Sequence, residues 1–309
     1  MIDIAVVILT YNEERHIGRA LDSIQAIARE IFIIDSYSTD RTVEIAEAKG
    51  AIVLKNKFVN YAKQFEWGLA NASITSKWVM RLDADEIIEP DLVSQLEHTL
   101  PSLDDEVAGI NLNRKHIFMG RWIRYGGRYP LILLRIWRHG QGRIEQRWMD
   151  EHMVVWGGRT VTLAGGFSDH NLNDITFFTD KHNKYATREA IDVINRKYGF
   201  FKKDEVLSSK TASRQASIKR LAKERIYNNL PFWIGPALYF LFRYFIQLGF
   251  LDGQAGLVYH FLQGGWYRFL VGVKVAEYEA LLGECLTSQE KFRRLEELTG
   301  HKLSDEPER

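Results

Sequence analysis

The segment WVMRLDADEIIEP, residues 78–90, places Asp83, Asp85 and Glu86 directly behind an apolar run. Carboxylates this close repel one another, so their joint presence points to a cation among them. Asp83 and Asp85 flank the small Ala84 at what reads as a strand end, where alternation turns both side chains the same way unless the chain bends at once. Two hard oxygen ligands suit Mg2+ or Mn2+, which fills its remaining positions with waters and substrate phosphate oxygens. An ion held in this way would neutralise a diphosphate as it leaves a sugar. The competing reading is a solvated turn before a helix, with Glu86 and Asp91 favoured near the helix N-terminus by its dipole.

The elements around this segment follow a regular order. IAVVIL, residues 4–9, is a continuous β-branched run of the kind found in parallel strands covered on both faces. Behind it, Ile17, Leu21, Ile24 and Ile27 recur at helical spacing, with Asn12 as the expected N-cap. Strand IFIID, a short helix stopped by Gly50, strand AIVLK, a helix from about Tyr61 to Ala72 and strand KWVMRLD complete a βαβαβαβ series. Crossovers this short predict a parallel, doubly wound sheet, whose ligands sit outside the carboxyl ends of the strands. Polar clusters occupy those ends: TYNEE, DSYSTD and DADE. Beyond Pro101, VAGINLNRKHIF and LILLRIWRH read as antiparallel strands added at the edge, and a helix from about Asp174 to Tyr198 closes the globular part.

Composition narrows the class. The chain has 309 residues, 46% hydrophobic and 26% charged, enough for a full core, so one large domain with an appendage is expected. A net charge of +1 gives no global attraction to nucleic acid, and no nucleic-acid partner is expected. Cys285 stands alone, which excludes a disulfide framework and a Cys-based zinc site and fits a reducing compartment. The N-terminal segment reads as a buried strand and not as a signal peptide, so a cytoplasmic location is expected.

VVILTYNEERHIGRALDSI, IIDSYSTDRTVEIAEAKGA, WVMRLDADE, LRIWRHGQGR and DEH resemble, in order, the successive motifs of family 2 inverting glycosyltransferases of the GT-A fold. The likeness covers roughly residues 3–200 and is greatest to the branch that adds β-linked hexoses, often glucose, to lipopolysaccharide core or other lipid-borne surface glycans. It implies an α/β fold with a mainly parallel sheet and an antiparallel acceptor-side extension. It also implies a UDP-sugar donor and a divalent ion. In domain terms, residues 1–200 form the transferase domain, with the nucleotide-sugar half at about 1–100 and the acceptor half at about 101–200.

By resemblance, Thr10, Tyr11, Asn12 and Glu13 line the nucleoside pocket, and Asp35 and Ser38 contact the nucleoside. Helix capping is the additional role open to Asn12 and Asp40. Asp83 and Ala84 approach the ribose, and Asp85, with Asp83, holds the metal on the diphosphate. Relatives often carry a basic residue and Asn where this chain has Phe65 and Glu66, which leaves Lys63 and Gln64 as substitutes for donor contact. In MDEH, Glu151 aligns with the base that takes the acceptor proton, and Asp150 replaces the usual preceding histidine. His170 matches a histidine that completes the metal shell or bonds the leaving phosphate. Arg135 and Arg138 either support the diphosphate or acceptor, or pair with carboxylates. Trp122, Trp137, Trp148 and Trp156 are stacking candidates for sugar rings, with core packing as the alternative.

Two other classes share some of these features. A nucleotidyltransferase also joins a doubly wound sheet to metal-binding carboxylates, but it usually opens with a Gly-rich phosphate loop that LTYNEERHIG lacks. A non-catalytic glycolipid-binding protein is the third reading, against which Asp83, Asp85 and Glu151 together argue.

Residues 201–300 have a different character. Lys202, Lys203, Lys210, Arg214, Lys219, Arg220, Lys223 and Arg225 face only Asp204, Glu205 and Glu224 up to position 225, and FWIGPALYFLFRYFIQLGFL follows. Arg243 at the centre of that run is costly in hydrocarbon, so helices lying in an anionic membrane interface are expected and not a clean span. A helical subdomain or oligomer interface is the alternative, and residues 301–309 are expected to be disordered. Peripheral attachment at the inner face of the cytoplasmic membrane would bring the site to a lipid-linked acceptor.

Overall fold

The computed structural model describes residues 1–145, 152–200 and 231–303. Asp150, Glu151, Trp148, the basic run from Lys202 to Arg225 and the end of the tail lie outside the described residues.

The expected alternation is present: β1 (Ile4–Thr10), α1 (Ile17–Ile24), β2 (Glu30–Asp35), α2 (Thr42–Ala48), β3 (Ile52–Lys55), α3 (Tyr61–Asn71) and β4 (Trp78–Asp83). After β4 the chain turns at Ala84–Asp85 into β5 (Glu86–Ile88) and α4 (Pro90–Thr99). The later strands are β6 (Val107–Phe118), β7 (Arg121–Ile123), β8 (Leu131–Arg138), β9 (Gly142–Ile144), β10 (Met153–Val155) and β11 (Arg159–Asp169). The main sheet runs β3-β2-β1-β4-β8-β6-β11-β5, with β7 paired to β6. Its first four strands are mutually parallel, and β8 joins β4 antiparallel.

Strand β1 shows why this order holds. Ile4, Val6 and Ile8 face one layer with Ile17, Leu21 and Ile24 of α1 and Leu92 and Leu96 of α4. Ala5 and Val7 face the other layer with Phe32, Ala62, Phe65 and Trp137. Both faces of the strand are therefore dry, as the unbroken apolar run requires. Helix α3 lies close against β2: a Cβ at Gly68 would come 2.6 Å from Ile34, so the contact needs glycine. Asn12 does not cap α1. Its φ is 55°, the helix starts only at Ile17, and the Asn12 side chain is spent on the neighbouring loop.

Two compact units emerge. The first holds residues 1–172 with Leu251–Ala255, and the second comprises the described residues 173–200, 231–250 and 256–303. Helix α5 (Ile175–Tyr198) therefore belongs to the second unit and does not close the first, as its spacing suggested. The reason is packing: its Ala186 is buried with Tyr267 and Val271 of the long helix Tyr267–Gly283, and the partly buried Tyr185 and Val275 pack against them.

At the entry of β2, Glu30 ties two chain segments together. Its carboxylate accepts from the Thr75 and Ser76 amides and from both hydroxyls, at 2.6–3.2 Å. Burial alone would raise this carboxyl, but those bonds outweigh it and hold it down at about 2. A depressed native value stabilises above the ordinary value of about 4.5, and the stabilisation is lost as pH falls toward 2. Glu30→Gln is thus expected to lower stability at pH 7 by much more than at pH 3. Urea unfolding of both proteins at the two pH values checks this, and an equal gap at both would contradict it.

Candidate active site

The carboxyl edge of the parallel strands brings the three polar clusters together. Thr10 of β1 lies beside Asp35 of β2, and Leu9 lies beside Asp83 of β4. The loops after β1 and β2 are joined by side chains. Thr10 Oγ1 donates to Asp35 Oδ1 at 2.9 Å, Ser38 Oγ donates to the same oxygen at 2.5 Å, and the Ser38 amide donates to Oδ2 at 2.8 Å. The Asn12 amide donates to Ser38 Oγ and its side-chain oxygen accepts from the Thr39 amide, both at 2.9 Å. Asp40 accepts from the Glu14 amide and from the Thr42 amide, the first of α2, so it does serve that helix start.

Asp35 is 0% exposed, and its two carboxylate oxygens accept from Thr10 and Ser38, so it shapes the loops after β1 and β2. Gln64 is likewise buried and bonded to Ser36, Asn56 and the Asn56 carbonyl, so it braces the loops after β2 and β3. Lys63 is exposed, and its backbone amide donates to the Asn60 cap. Tyr11 is exposed at the rim, and Ser38 lies half-buried between the two loops. The Glu13 amide donates to Thr42 Oγ1 at 2.7 Å, and its carboxylate accepts from His16 at 2.6 Å.

The tight turn after β4 separates Asp83 from Asp85. Asp83 accepts from the Tyr61 hydroxyl at 2.6 Å and lies 3.5 Å from Arg135 and 3.6 Å from Arg81. Burial opposes its ionisation, but Arg81, Arg135 and the Tyr61 hydroxyl together hold it well below the usual carboxylate range. Glu86 is buried beneath the turn. One of its oxygens meets Arg135 Nη2 at 2.5 Å, and the other accepts the Asp83 amide at 2.9 Å. Burial pushes the Glu86 carboxyl up to about 8, opposed by Arg135 and reinforced by the Asp83 charge. Arg135, 3% exposed, rests on the Phe167 ring at 4.9 Å.

Asp85 instead faces the end of β11. Its carboxylate accepts from Asn171 Nδ2 at 2.9 Å and its carbonyl from the His170 amide at 3.0 Å. Arg19 Nη2 donates to the His170 carbonyl at 2.8 Å, and Nη1 lies 3.4 Å from His170 Nδ1. An arginine can only donate, so this contact leaves the ring proton on Nε2. Burial, Arg19 and His16 lower the His170 value while Asp169 opposes them, which keeps the ring neutral near pH 7.

The expected trio Asp83, Asp85 and His170 is not drawn into one cage. Among the described residues no three His, Cys, Asp or Glu side chains are placed to hold a metal by themselves. Magnesium or manganese held by one or two carboxylates and completed by diphosphate oxygens needs no such cage, and the Asp85 carboxylate fits that donor set. Arg138 is excluded from this edge. It pairs with Trp78 at the opposite end of β4, stacks on that ring at 4.7 Å and donates to the Val107 and Asp104 carbonyls. Of the tryptophans, Trp137 is core, Trp122 is flanked by Lys115 and Arg124, and Trp156 is exposed.

The sequence reading passed over Arg19 and His16. His16 is buried, donates to Glu13 and accepts the Leu172 amide at Nε2, so it joins the first loop to the end of β11. Both lie inside the stretch NEERHIGR, but nothing in their types or spacing separates them from ordinary helix-start residues.

A family model described as Glycosyl transferase family 2 matches residues 5–170. The chain belongs to glycosyl transferase family 2. With that membership, the four-stranded parallel half and its antiparallel extension are the GT-A-type architecture. An uncharacterised glycosyltransferase of Rickettsia bellii is 35% identical over 103 residues, 33% of this chain and 34% of that protein. The glycosyltransferase SunS of Bacillus subtilis is 35% identical over 83 residues, 26% of this chain and 19% of that protein. The matches thus span about a third or less of those relatives. Glucosyl-3-phosphoglycerate synthase of Mycobacterium tuberculosis, solved with Mn2+, UDP and glucosyl-3-phosphoglycerate, is 26% identical with a TM-score of 0.31. That superposition covers 37% of this chain and 43% of the synthase and is too partial to carry an inference.

In this family 2 chain the pair beneath the turn is open to a direct test. Arg135→Met removes the guanidinium that Glu86 and Asp83 share and leaves their oxygens short of a partner, whereas Arg135→Met with Glu86→Leu removes the Glu86 carboxyl as well and is expected to cost less. Urea unfolding reports the difference, and a double variant less stable than the single one would contradict the pairing.

Proposed function

We propose that this protein is a metal-dependent, inverting hexosyltransferase that moves a hexose, with glucose the first candidate, from a UDP-sugar to a lipid-linked or lipopolysaccharide-core glycan at the inner face of the cytoplasmic membrane. The observation that carries the reading is the Asp83–Asp85 turn at the carboxyl edge of the sheet, with Asp85 beside His170 and Arg19 and with the Thr10–Glu13 and Asp35–Ser38 loops on the neighbouring strands. Such an edge is where ligands of these sheets bind.

In the proposed reaction the acceptor hydroxyl oxygen forms a bond to the anomeric carbon as the bond from that carbon to the UDP oxygen breaks. The hydroxyl proton passes to Glu151, with Asp150 as the neighbouring alternative, and UDP leaves from the opposite face of the sugar. Asp85 would hold Mg2+ or Mn2+, which when bound supplies positive charge to the departing diphosphate. Arg19 holds the His170 backbone and ring in place, and the Nε2 proton makes His170 a donor suited to a phosphate oxygen. Tyr61, Arg81 and Arg135 keep Asp83 ionised beneath this site.

The second unit supports the membrane part of the reading. Among the described residues no single helix is long and apolar enough to cross a membrane. Trp233, Leu238, Leu241, Phe242, Phe245 and Ile246 are nonetheless exposed, while Arg243 within the same segment is 2% exposed. Arg243 is turned inward to Gln263 and lies over the Tyr239 and Tyr259 rings. The segment therefore offers an aromatic and aliphatic surface without its one charge and follows the basic run in the sequence, a combination that suits an anionic interface.

Two outcomes are expected. Asp85→Ala lowers Mn2+-dependent release of UDP from UDP-glucose by at least about a hundredfold with little change in melting temperature. Turnover at the parental rate would contradict the assignment. Phe245→Glu with Ile246→Glu abolishes flotation with phosphatidylglycerol vesicles, and undiminished flotation would remove this surface from membrane binding.

A further inference from the structure

From Val107 to Ile144 the chain contains no Asp or Glu, yet Arg114, Lys115, Arg121, Arg124 and Arg128 crowd into its middle. Most of that stretch is the β6–β7 hairpin and the arch that follows it. The hairpin turns through Met119 and Gly120, whose φ angles of 50° and 73° are the left-handed pair that a two-residue hairpin turn requires. Register fixes where it emerges. His116 of β6 lies beside Asp169 of β11, and Asp169 lies beside Glu86 of β5, so β6 leaves the sheet at the edge that carries Asp85.

The cations of this hairpin divide into two groups. Arg114 and His116 are paired with Asp169, and Lys115 is bonded to Glu89. Arg121 and Arg124 are exposed and make no ion pair among the described residues. Arg121 donates to the Leu251 carbonyl at 3.3 Å, and the Arg124 guanidinium lies 5.3 Å from the Trp122 ring centre. The arch is held by other means. The buried Asp252 carboxylate accepts the Arg124 and Tyr125 amides at 3.2 and 2.9 Å, and Trp122 meets Tyr129 edge-on at 4.9 Å. Among the described residues neither guanidinium charge is matched by a carboxylate, and both stand on the hairpin that leaves the sheet at the edge carrying Asp85.

We propose that this arch is an anion-binding element for the acceptor, in which Arg121 and Arg124 take up a phosphate group attached to the accepting sugar; this rests on the transferase reading and specifies its acceptor class. The planar guanidinium fork matches phosphate oxygens, and Arg124 is already oriented by Trp122. The same chemistry would be met by a lipid headgroup, so the test separates the two sources.

Equilibrium binding of radiolabelled glucose 6-phosphate to the full chain, with glucose as the uncharged control, is the direct experiment. The wild type is expected to bind the phosphate ester and not glucose. Arg121→Ala with Arg124→Ala is expected to weaken binding by at least about tenfold, with partial recovery in the lysine double variant. Equal binding of ester and glucose, or an unaffected double variant, would overturn the proposal. Arginine-dependent retention of phosphatidylglycerol vesicles without glucose 6-phosphate binding would also overturn it, in favour of a headgroup site. In the same preparation, a rise in wild-type melting temperature with UDP and Mn2+ checks the transferase reading separately. Its absence would remove the acceptor role from the arch, while arginine-dependent phosphate binding would stand as its own result.

Discussion

The buried pair between Glu86 and Arg135 is the interaction on which the edge of this protein depends. Three carboxylates within four residues cannot all be presented to one side without strong repulsion. The chain resolves this by turning at Ala84–Asp85 and sinking Glu86 beneath the turn, where it receives Arg135 and the Asp83 backbone amide. Asp83 is then held on the flank by Tyr61, Arg81 and Arg135. Only Asp85 is aimed at the end of β11. One arginine from an antiparallel strand therefore converts a repulsive cluster into a directional one. The bond from Arg135 to Glu86 is weak evidence for stability; what it fixes is the position of the turn and of Asp83.

The same logic extends across the edge. Asp35, Gln64 and His16 are polar groups buried with their hydrogen bonds supplied by the chain, and each joins two loops that belong to different strands. They keep Tyr11, Asn12 and Ser38 in place. Loops held in this way would lose little freedom on taking up the proposed nucleotide-sugar. The arch after β6 repeats the pattern with Asp252 as its buried acceptor.

Much of the fold was legible before any coordinates. The dry strand IAVVIL, the helical spacing of Ile17, Leu21 and Ile24, and the terminal carboxylates of WVMRLD are all local signals, and local signals survive into the structure. What stayed hidden depends on partners far away in sequence. Asp35 reads like a ligand-binding carboxylate because its type and place at a strand end are right, and only the distant Thr10 shows that its oxygens are occupied. Arg135 and Arg138 look equivalent in LRIWRHG, yet the antiparallel register sends one to Asp83 and the other to Trp78 at the far end of β4. Arg243 reads as an obstacle to membrane contact until Gln263, twenty positions on, is seen to receive it.

Asp85 is the residue proposed to meet both the ion and the diphosphate. Electron paramagnetic resonance of Mn2+ titrated into the protein with and without UDP measures this without relying on turnover. The account predicts that UDP draws Mn2+ out of solution onto the wild type, that Asp85→Asn loses this binding, and that the Asn variant melts at nearly the parental temperature. Binding of Mn2+ and UDP that is indifferent to Asp85→Asn would contradict it.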